Sequence, residues 1–260
     1  MFASAAETSR CAPPRSRRHL SYSDAVRVRV GTSGYSYKEW KGSFYPEDLP
    51  ANKMLEYYAG RFDTVEINNT FYRMPDAGML EKWSRQVPEN FTFVLKAPQR
   101  ITHQKRLAGA EEDTQHFFDV ATSLGSQLGP LLFQLPPFAR KDAPRLKSFL
   151  DTLPPRAQVA FEFRHESWCD DEIYGMLRAR DAPLCLSDTD EVSDPDSVVV
   201  PTASWGYLRL RRTQYGDGDL EAWAGRVQRQ PWKEAYVFFK HEDEARGPLF
   251  AEDFRRKLGN

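Results

Sequence analysis

Eight short apolar stretches recur along the chain, several of them alternating with polar residues, and most are followed by apolar residues spaced three and four apart. Alternation sends successive side chains to opposite faces of a strand, and three-and-four spacing marks one stripe of a helix. The strands read as 26–30, 64–68, 91–96, 131–135, 159–164, 184–188, 207–211 and 236–240. Helices are expected over 51–60, after Asp76 (whose carboxylate suits an N-cap), over 112–124, through Leu146 to Leu153, over 170–180, through Leu220 to Val227, and from Leu249 to Leu258. Residues 189–203 are acidic and contain proline, and read as a long loop.

Strands that alternate with helices call for a mostly parallel sheet. Eight such units in one chain of 260 residues fit a single (β/α)8 TIM-like barrel. An open doubly wound sheet would want a GxGxxG turn after its first strand, and Gly31-Thr32-Ser33-Gly34 lacks that spacing. The barrel domain is therefore expected over 26–260. Residues 1–25 hold Ser, Pro and Arg without a continuous apolar segment, and are expected to be a disordered extension.

Charge and cysteine content narrow the setting. Lys plus Arg number 36 and Asp plus Glu 37, so no global field draws the chain to nucleic acid or membrane. No apolar run approaches the roughly 20 residues of a membrane span. Cys11, Cys169 and Cys185 form no CxxC pair, which suits reduced thiols in a cytoplasm.

The strands end in chemistry. Val159-Ala160-Phe161-Glu162-Phe163-Arg164-His165 passes from an apolar strand to a carboxylate, a guanidinium and an imidazole within four residues. Glu66, Asn68, Lys96, Gln134, Asp188, Arg209, Arg211 and Lys240 also stand at or near the carboxyl ends of expected strands, with His241 beyond. In a barrel these ends meet at one mouth. Parity supports this for Glu66, Lys96, Glu162 and Arg209, each flanked by apolar residues on the opposite face.

Glu66 or Glu162 would serve as general base, with His165 and Asp188 completing the catalytic set. Lys96, Arg164, Arg209, Arg211 and Lys240 would hold an anionic group, with Asn68, Gln134 and His103 beside it. Tyr35, Trp40, Tyr72 and Trp168 would stack on a base or sugar, or else anchor loops over the barrel. Thr32-Ser33-Gly34 is either an anion-binding loop or a tight turn. The bland alternative for the whole set is an ion-paired floor that fixes strand register. Glu66, Glu162, Asp188 and a histidine could ligate a metal, but the clustered cations argue against a metal cage, so neither metal nor cofactor is expected.

Five ordered blocks carry a resemblance. Gly31 to Pro46, Val65 to Arg73, Lys96 with Thr102-His103, Gln134 to Pro137, and Glu162 to Trp168 resemble the signatures of the YecE-like proteins, a family of unknown function. The resemblance implies a TIM-like barrel and no established reaction. Where many relatives are similar to Leu-His-Gly after the seventh strand, this chain has Leu210-Arg211-Arg212. Where many carry paired asparagines after the eighth, it has Lys240-His241. Those departures imply a more anionic ligand. The expected function is acid–base chemistry of hydrolase or lyase type on a small anionic, phosphorylated or nucleotide-like substrate. The alternatives are a binding module for nucleic acid or a metabolite, and a metal-dependent hydrolase or isomerase.

Overall fold

A computed structural model describes residues 25–240 and 245–259. The extension expected over 1–25 lies outside the described residues except for Ala25, and His241 lies outside them altogether.

All eight expected strands form. They are β1 (Arg27–Thr32), β2 (Thr64–Ile67), β3 (Thr92–Lys96), β4 (Leu128–Gln134), β5 (Val159–Glu162), β6 (Leu186–Asp188), β7 (Gly206–Leu210) and β8 (Glu234–Phe239). The helices are α1 (Met54–Ala59), α2 (Asn69–Tyr72), α3 (Ala77–Ser84), α4 (Glu111–Ala121), α5 (Ala143–Thr152), α6 (Asp171–Ala179), α7 (Asp217–Gln228) and α8 (Arg246–Lys257). Local chemistry starts several of them. Asp76 accepts from the Met79 amide at 2.9 Å and Asp142 from the Arg145 amide at 3.0 Å, satisfying first-turn donors that the helix leaves open. Two helical turns were not legible as stripes: α2, and a turn over Arg100–Gln104, each too short for periodicity to show. The stretch read as a loop before β7 contains one 3-10 turn, Pro195–Val198.

All strand pairs are parallel, as alternation with helices demands. Their ladders form two four-stranded sheets, in the orders β1-β8-β7-β6 and β2-β3-β4-β5. Single bridges touch at both seams: Ser33 pairs with Glu66, and Phe161 with Leu184. At the first seam the Gly34 amide donates to the Glu66 carbonyl at 2.8 Å. Gly34 has φ +99°, and a Cβ there would strike the Tyr37 phenol, so the turn wants glycine. At the second seam the Cys185 amide donates to the Phe161 carbonyl at 2.7 Å.

Strand parity sorts the core into two layers. Val65, Phe93, Leu131, Phe133, Phe161 and Leu208 face outward and pack with helix residues such as Leu146, Phe149 and Leu220. Val94, Leu132 and Ala160 of one sheet meet Cys185, Tyr207 and Phe238 of the other in a dry layer between the sheets. At the amino ends of the strands, Arg29 Nε sits 2.8 Å from Glu234 and Arg29 Nη1 3.4 Å from Asp63, with Arg27 at 3.8 Å from Glu234. No helix among the described residues is long and apolar enough to cross a membrane.

Candidate functional site

The dry layer fixes what projects beyond it. Lys96 follows Val94 by two residues, Gln134 follows Leu132, Glu162 follows Ala160, and Arg209 follows Tyr207. A period of two carries each polar side chain to the same inner face as its apolar predecessor, at the carboxyl end of its strand. Arg164 and Arg211 continue the series past β5 and β7.

Arg209 is the hub. Its Nη2 donates to Glu66 Oε1 at 2.9 Å and its Nη1 to Glu162 Oε2 at 2.6 Å. The second Glu66 oxygen accepts from the Tyr207 hydroxyl at 2.6 Å. The second Glu162 oxygen accepts from Arg164 Nε at 3.0 Å, with Arg211 Nη1 at 3.8 Å. Glu66, Glu162 and Arg209 are buried to 0, 1 and 2% exposure, and the negative charge that Arg209 leaves uncompensated on this trio is met by Arg164 and Arg211 at Glu162. Glu66 and Glu162 come from β2 and β5, the two outer strands of one sheet. Arg209 comes from β7 inside the other sheet, so one guanidinium ties both outer strands of the opposite sheet.

This geometry decides which groups titrate. Burial would raise the Glu162 carboxyl, but Arg209, Arg164 and Arg211 outweigh it and hold it down to about 2. Burial alone would strip the charge from Arg209, yet the two carboxylates keep it protonated. The Tyr207 phenol is pushed far up by burial and by Glu66, and remains a donor. Lys96 behaves differently. Half-burial and the neighbouring Arg209 pull its ammonium down to about 8, against the smaller pull of Glu66 and Glu162. Its Nζ lies 4.1 Å from the centroid of the Phe71 ring on α2. His103 packs edge-on to the same ring at 4.8 Å, and burial followed by Lys96 and Arg164 lowers its imidazole.

Three buried atoms at these strand ends make no hydrogen bond to any described group: Ser33 Oγ, Gln134 Oε1 and Arg209 Nε. Buried polar atoms are rarely left so, and each suits a polar ligand or a water as its partner. Among the described residues no three His, Cys, Asp or Glu side chains gather where a metal ion would sit. All four oxygens of Glu66 and Glu162 already accept from cations or a phenol, leaving none oriented toward a metal.

Residues 29–260 match the family described as protein of unknown function DUF72. The chain belongs to the DUF72 family. It is 34% identical over 112 residues to YecE of Escherichia coli K12, an alignment covering 43% of this chain and 41% of that protein. It is 28% identical over 155 residues to YunF of Bacillus subtilis 168, covering 56% of this chain and 54% of that one. The aligned stretches thus span about half or less of these curated relatives. A crystal structure of a DUF72 family protein from Thermotoga maritima superposes with a TM-score of 0.79 at 27% identity, over 90% of this chain and all of that one.

Not every residue expected at the site of this DUF72 member reaches it. Asp188 turns the other way. Its Oδ1 accepts from Arg212 Nε at 2.9 Å, and its Oδ2 from the Tyr215 hydroxyl at 2.9 Å and from Trp223 Nε1 of α7 at 3.0 Å. It shares parity with Leu186, which packs in the outer layer, so β6 sends it toward the helices. Trp40 is 1% exposed and is packed among Tyr37, Phe44 and Tyr45. Trp168 stacks on Phe163 at 4.3 Å and donates to the Ala139 carbonyl at 2.8 Å. Both tryptophans anchor loops and present no free face for stacking. Tyr35 packs against Tyr58, with its phenol pushed up to about 12 by burial.

The loop Thr32-Ser33-Gly34 has spent its amides. Ser33 N donates to the Phe239 carbonyl at 2.9 Å and Gly34 N to the Glu66 carbonyl, so the tight turn is the reading that fits. His165 receives the Ser167 amide on Nδ1 at 3.1 Å and lines a cavity of about 200 Å3 with Phe163, Cys185 and Ser187. Asn68 lies just beyond Glu66 and, with Tyr35, borders a smaller cavity of about 100 Å3. Tyr72 is 73% exposed, outside the charged cluster. Lys240 ends the run after β8, its amide bonded to the Leu210 carbonyl at 3.1 Å. Tyr207 and Phe71 were missed as site residues. Tyr207 was within reach, since it shares parity with Arg209, whereas nothing in the sequence brings Phe71 to Lys96.

Proposed function

We propose that the two sheets close into one (β/α)8 barrel, and that the mouth at the carboxyl ends of its strands binds and transforms a small anionic substrate. The bridges at both seams support closure. The observation that carries the anionic reading is the charge ratio. Lys96, Arg164, Arg209 and Arg211 surround two carboxylates whose oxygens are already taken. An anion entering there completes the neutralisation and finds the Arg209 Nε donor still open to it.

The catalytic labour falls differently from the first expectation. A general base works best with a pKa near the operating pH, and Glu162 at about 2 is too weak. The glutamates serve better as anchors for Arg209, and proton transfer falls to Lys96 and His103. The class remains hydrolase or lyase. We favour a small ligand over nucleic acid because Trp40 and Trp168 are committed to packing. Cys169 and Cys185, neither of them in a disulfide among the described residues, suit a reducing cytoplasm.

The test is thermal unfolding titrated with phosphate and sulfate at constant ionic strength. A ligand held only by the folded chain adds about 2.7 kcal/mol at a hundredfold excess over Kd. The expected result is a selective rise in Tm that shrinks in Arg164→Gln. A Tm that ignores every anion would sink the reading.

A further inference from the structure

We infer that Lys96 is a nucleophile, whose Nζ condenses with the carbonyl of an anionic aldehyde or ketone to form an imine. The inference rests on the proposed anion site and names the substrate class for it.

Lys96 stands apart from the cations around it. Arg164, Arg209 and Arg211 all reach Glu162, and Arg209 also reaches Glu66. Lys96 Nζ makes no hydrogen bond or ion pair with a described residue, and its near neighbour is the face of Phe71. From every side the groups facing it are known: Glu66 of β2, Glu162 and Arg164 at the end of β5, Arg209 of β7, and His103 of the turn over 100–104. Both carboxylates are saturated by other donors, so only their through-space field and the Phe71 face favour the ammonium, and desolvation with Arg209 outweighs them. Desolvation beside cationic groups is the usual way a lysine becomes a nucleophile at neutral pH. With a value of about 8, roughly a tenth of Lys96 is free amine at pH 7, against well under a thousandth for an ordinary lysine.

The neighbours suit each step. The amine lone pair attacks the carbonyl carbon, a C–N bond forms, and the C=O π pair moves to oxygen, which takes a proton from solvent. The nitrogen gives up a proton, for which His103, whose imidazole is shifted down by burial and by Lys96 and Arg164, is the acceptor against the same Phe71 ring. That proton returns to the hydroxyl, which leaves as water, and the protonated imine remains. No oxidant or reductant is consumed. For a substrate with a β-hydroxyl, the adjacent C–C bond then breaks and its electron pair passes to the imine nitrogen to leave an enamine. The β-hydroxyl proton passes to His103 and the departing fragment leaves as a second carbonyl compound, which makes the step a lyase reaction. Protonation of the enamine carbon by His103 restores the imine, and water adding to it frees Lys96. The substrate's anionic group sits on Arg164 and Arg211, beyond the Glu162 carboxylate they share.

The experiment uses the full chain with glyoxylate, an anionic aldehyde, and with acetaldehyde, an uncharged one. Borohydride reduces any imine to a stable secondary amine, and peptide mass spectrometry reports which lysine carries it. Glyoxylate is expected to label Lys96 at least tenfold faster than exposed Lys53 or Lys147, with the rate rising through a midpoint near pH 8. Phosphate should compete, and Lys96→Arg should lose the adduct, whereas Lys53→Arg should keep both the adduct and the phosphate-dependent Tm. If glyoxylate labels Lys53, Lys147 and Lys96 at similar rates while phosphate still raises Tm, the nucleophile is overturned and the anion site stands. If Lys96 reacts equally with both aldehydes and phosphate neither competes nor raises Tm, the nucleophile stands and the anionic class falls.

Discussion

At the amino ends of the strands Arg27 and Arg29 meet Glu234 and Asp63, while at the carboxyl ends Lys96, Arg164, Arg209 and Arg211 meet Glu66 and Glu162. The first group is balanced and open to water: Glu234 and Asp63 keep 22% and 46% of their side chains exposed. The second is buried at its centre and carries surplus positive charge. A dry layer of Val94, Leu132, Ala160 and Phe238 separates them. A balanced, wetted set is complete without a ligand and acts as a staple. A buried set with cations left over invites an anion, because unpaired charge in a low dielectric is costly. The contrast teaches that ion pairs at two ends of one core can have opposite purposes, and that stoichiometry tells them apart.

The contrast breaks most sharply at Arg209. Arg209→Met strands two buried carboxylates and should cost about 3–5 kcal/mol in urea denaturation. Glu162 supplies a pH signature of the same end. Its folded value lies below the ordinary carboxylate range, so its stabilisation is complete above pH 4.5 and is lost as pH falls toward about 2. Glu162→Gln should flatten that acid limb of stability against pH, and an unchanged limb would remove Glu162 from the account. Asp188→Asn weakens the Arg212 pair and disturbs the bonds from Tyr215 and Trp223. The expected loss is about 2 kcal/mol, with no change in the phosphate-dependent Tm, since the residue faces the helices.

Two smaller effects sharpen the comparison. Arg29→Met at the balanced end should cost about 1 kcal/mol and leave anion binding alone, as its partners Asp63 and Glu234 keep part of their surface in water, which screens the pairs. Lys96→Met should stabilise at pH 7 by on the order of 1 kcal/mol. Between pH 8 and 10.5 the unfolded chain holds the lysine proton that the folded chain has shed, so wild-type stability rises there and the advantage of Met shrinks. Thermal melts of both proteins across that range give the sign directly.

Strand parity made much of this visible in the sequence. Glu66, Lys96, Glu162 and Arg209 each alternate with outward-facing apolar residues, and each lies on the inner face. The same rule would have excluded Asp188, which keeps step with Leu184 and Leu186. Its place at a strand end was given more weight than its parity. Alternation cannot report distance, so the sharing of Arg209 between Glu66 and Glu162 was hidden, and with it the cations that hold the Glu162 carboxyl down. Nor can it separate a ligand-facing tryptophan from a buried one. Trp40 and Trp168 lie in loops, where no period states which way a ring points.

The tie from Arg209 to both outer strands of the opposite sheet also bears on time. Its two bonds join residues 143 and 47 positions apart in the chain. Contacts of that span close only after their flanking elements have assembled, because loop-closure entropy must be met first. Interactions absent from the transition state slow escape from the native state without hastening arrival. The guanidinium is thus a late-closing latch. Its removal should appear chiefly as a faster unfolding limb in stopped-flow denaturation, shortening the native lifetime while the refolding rate holds.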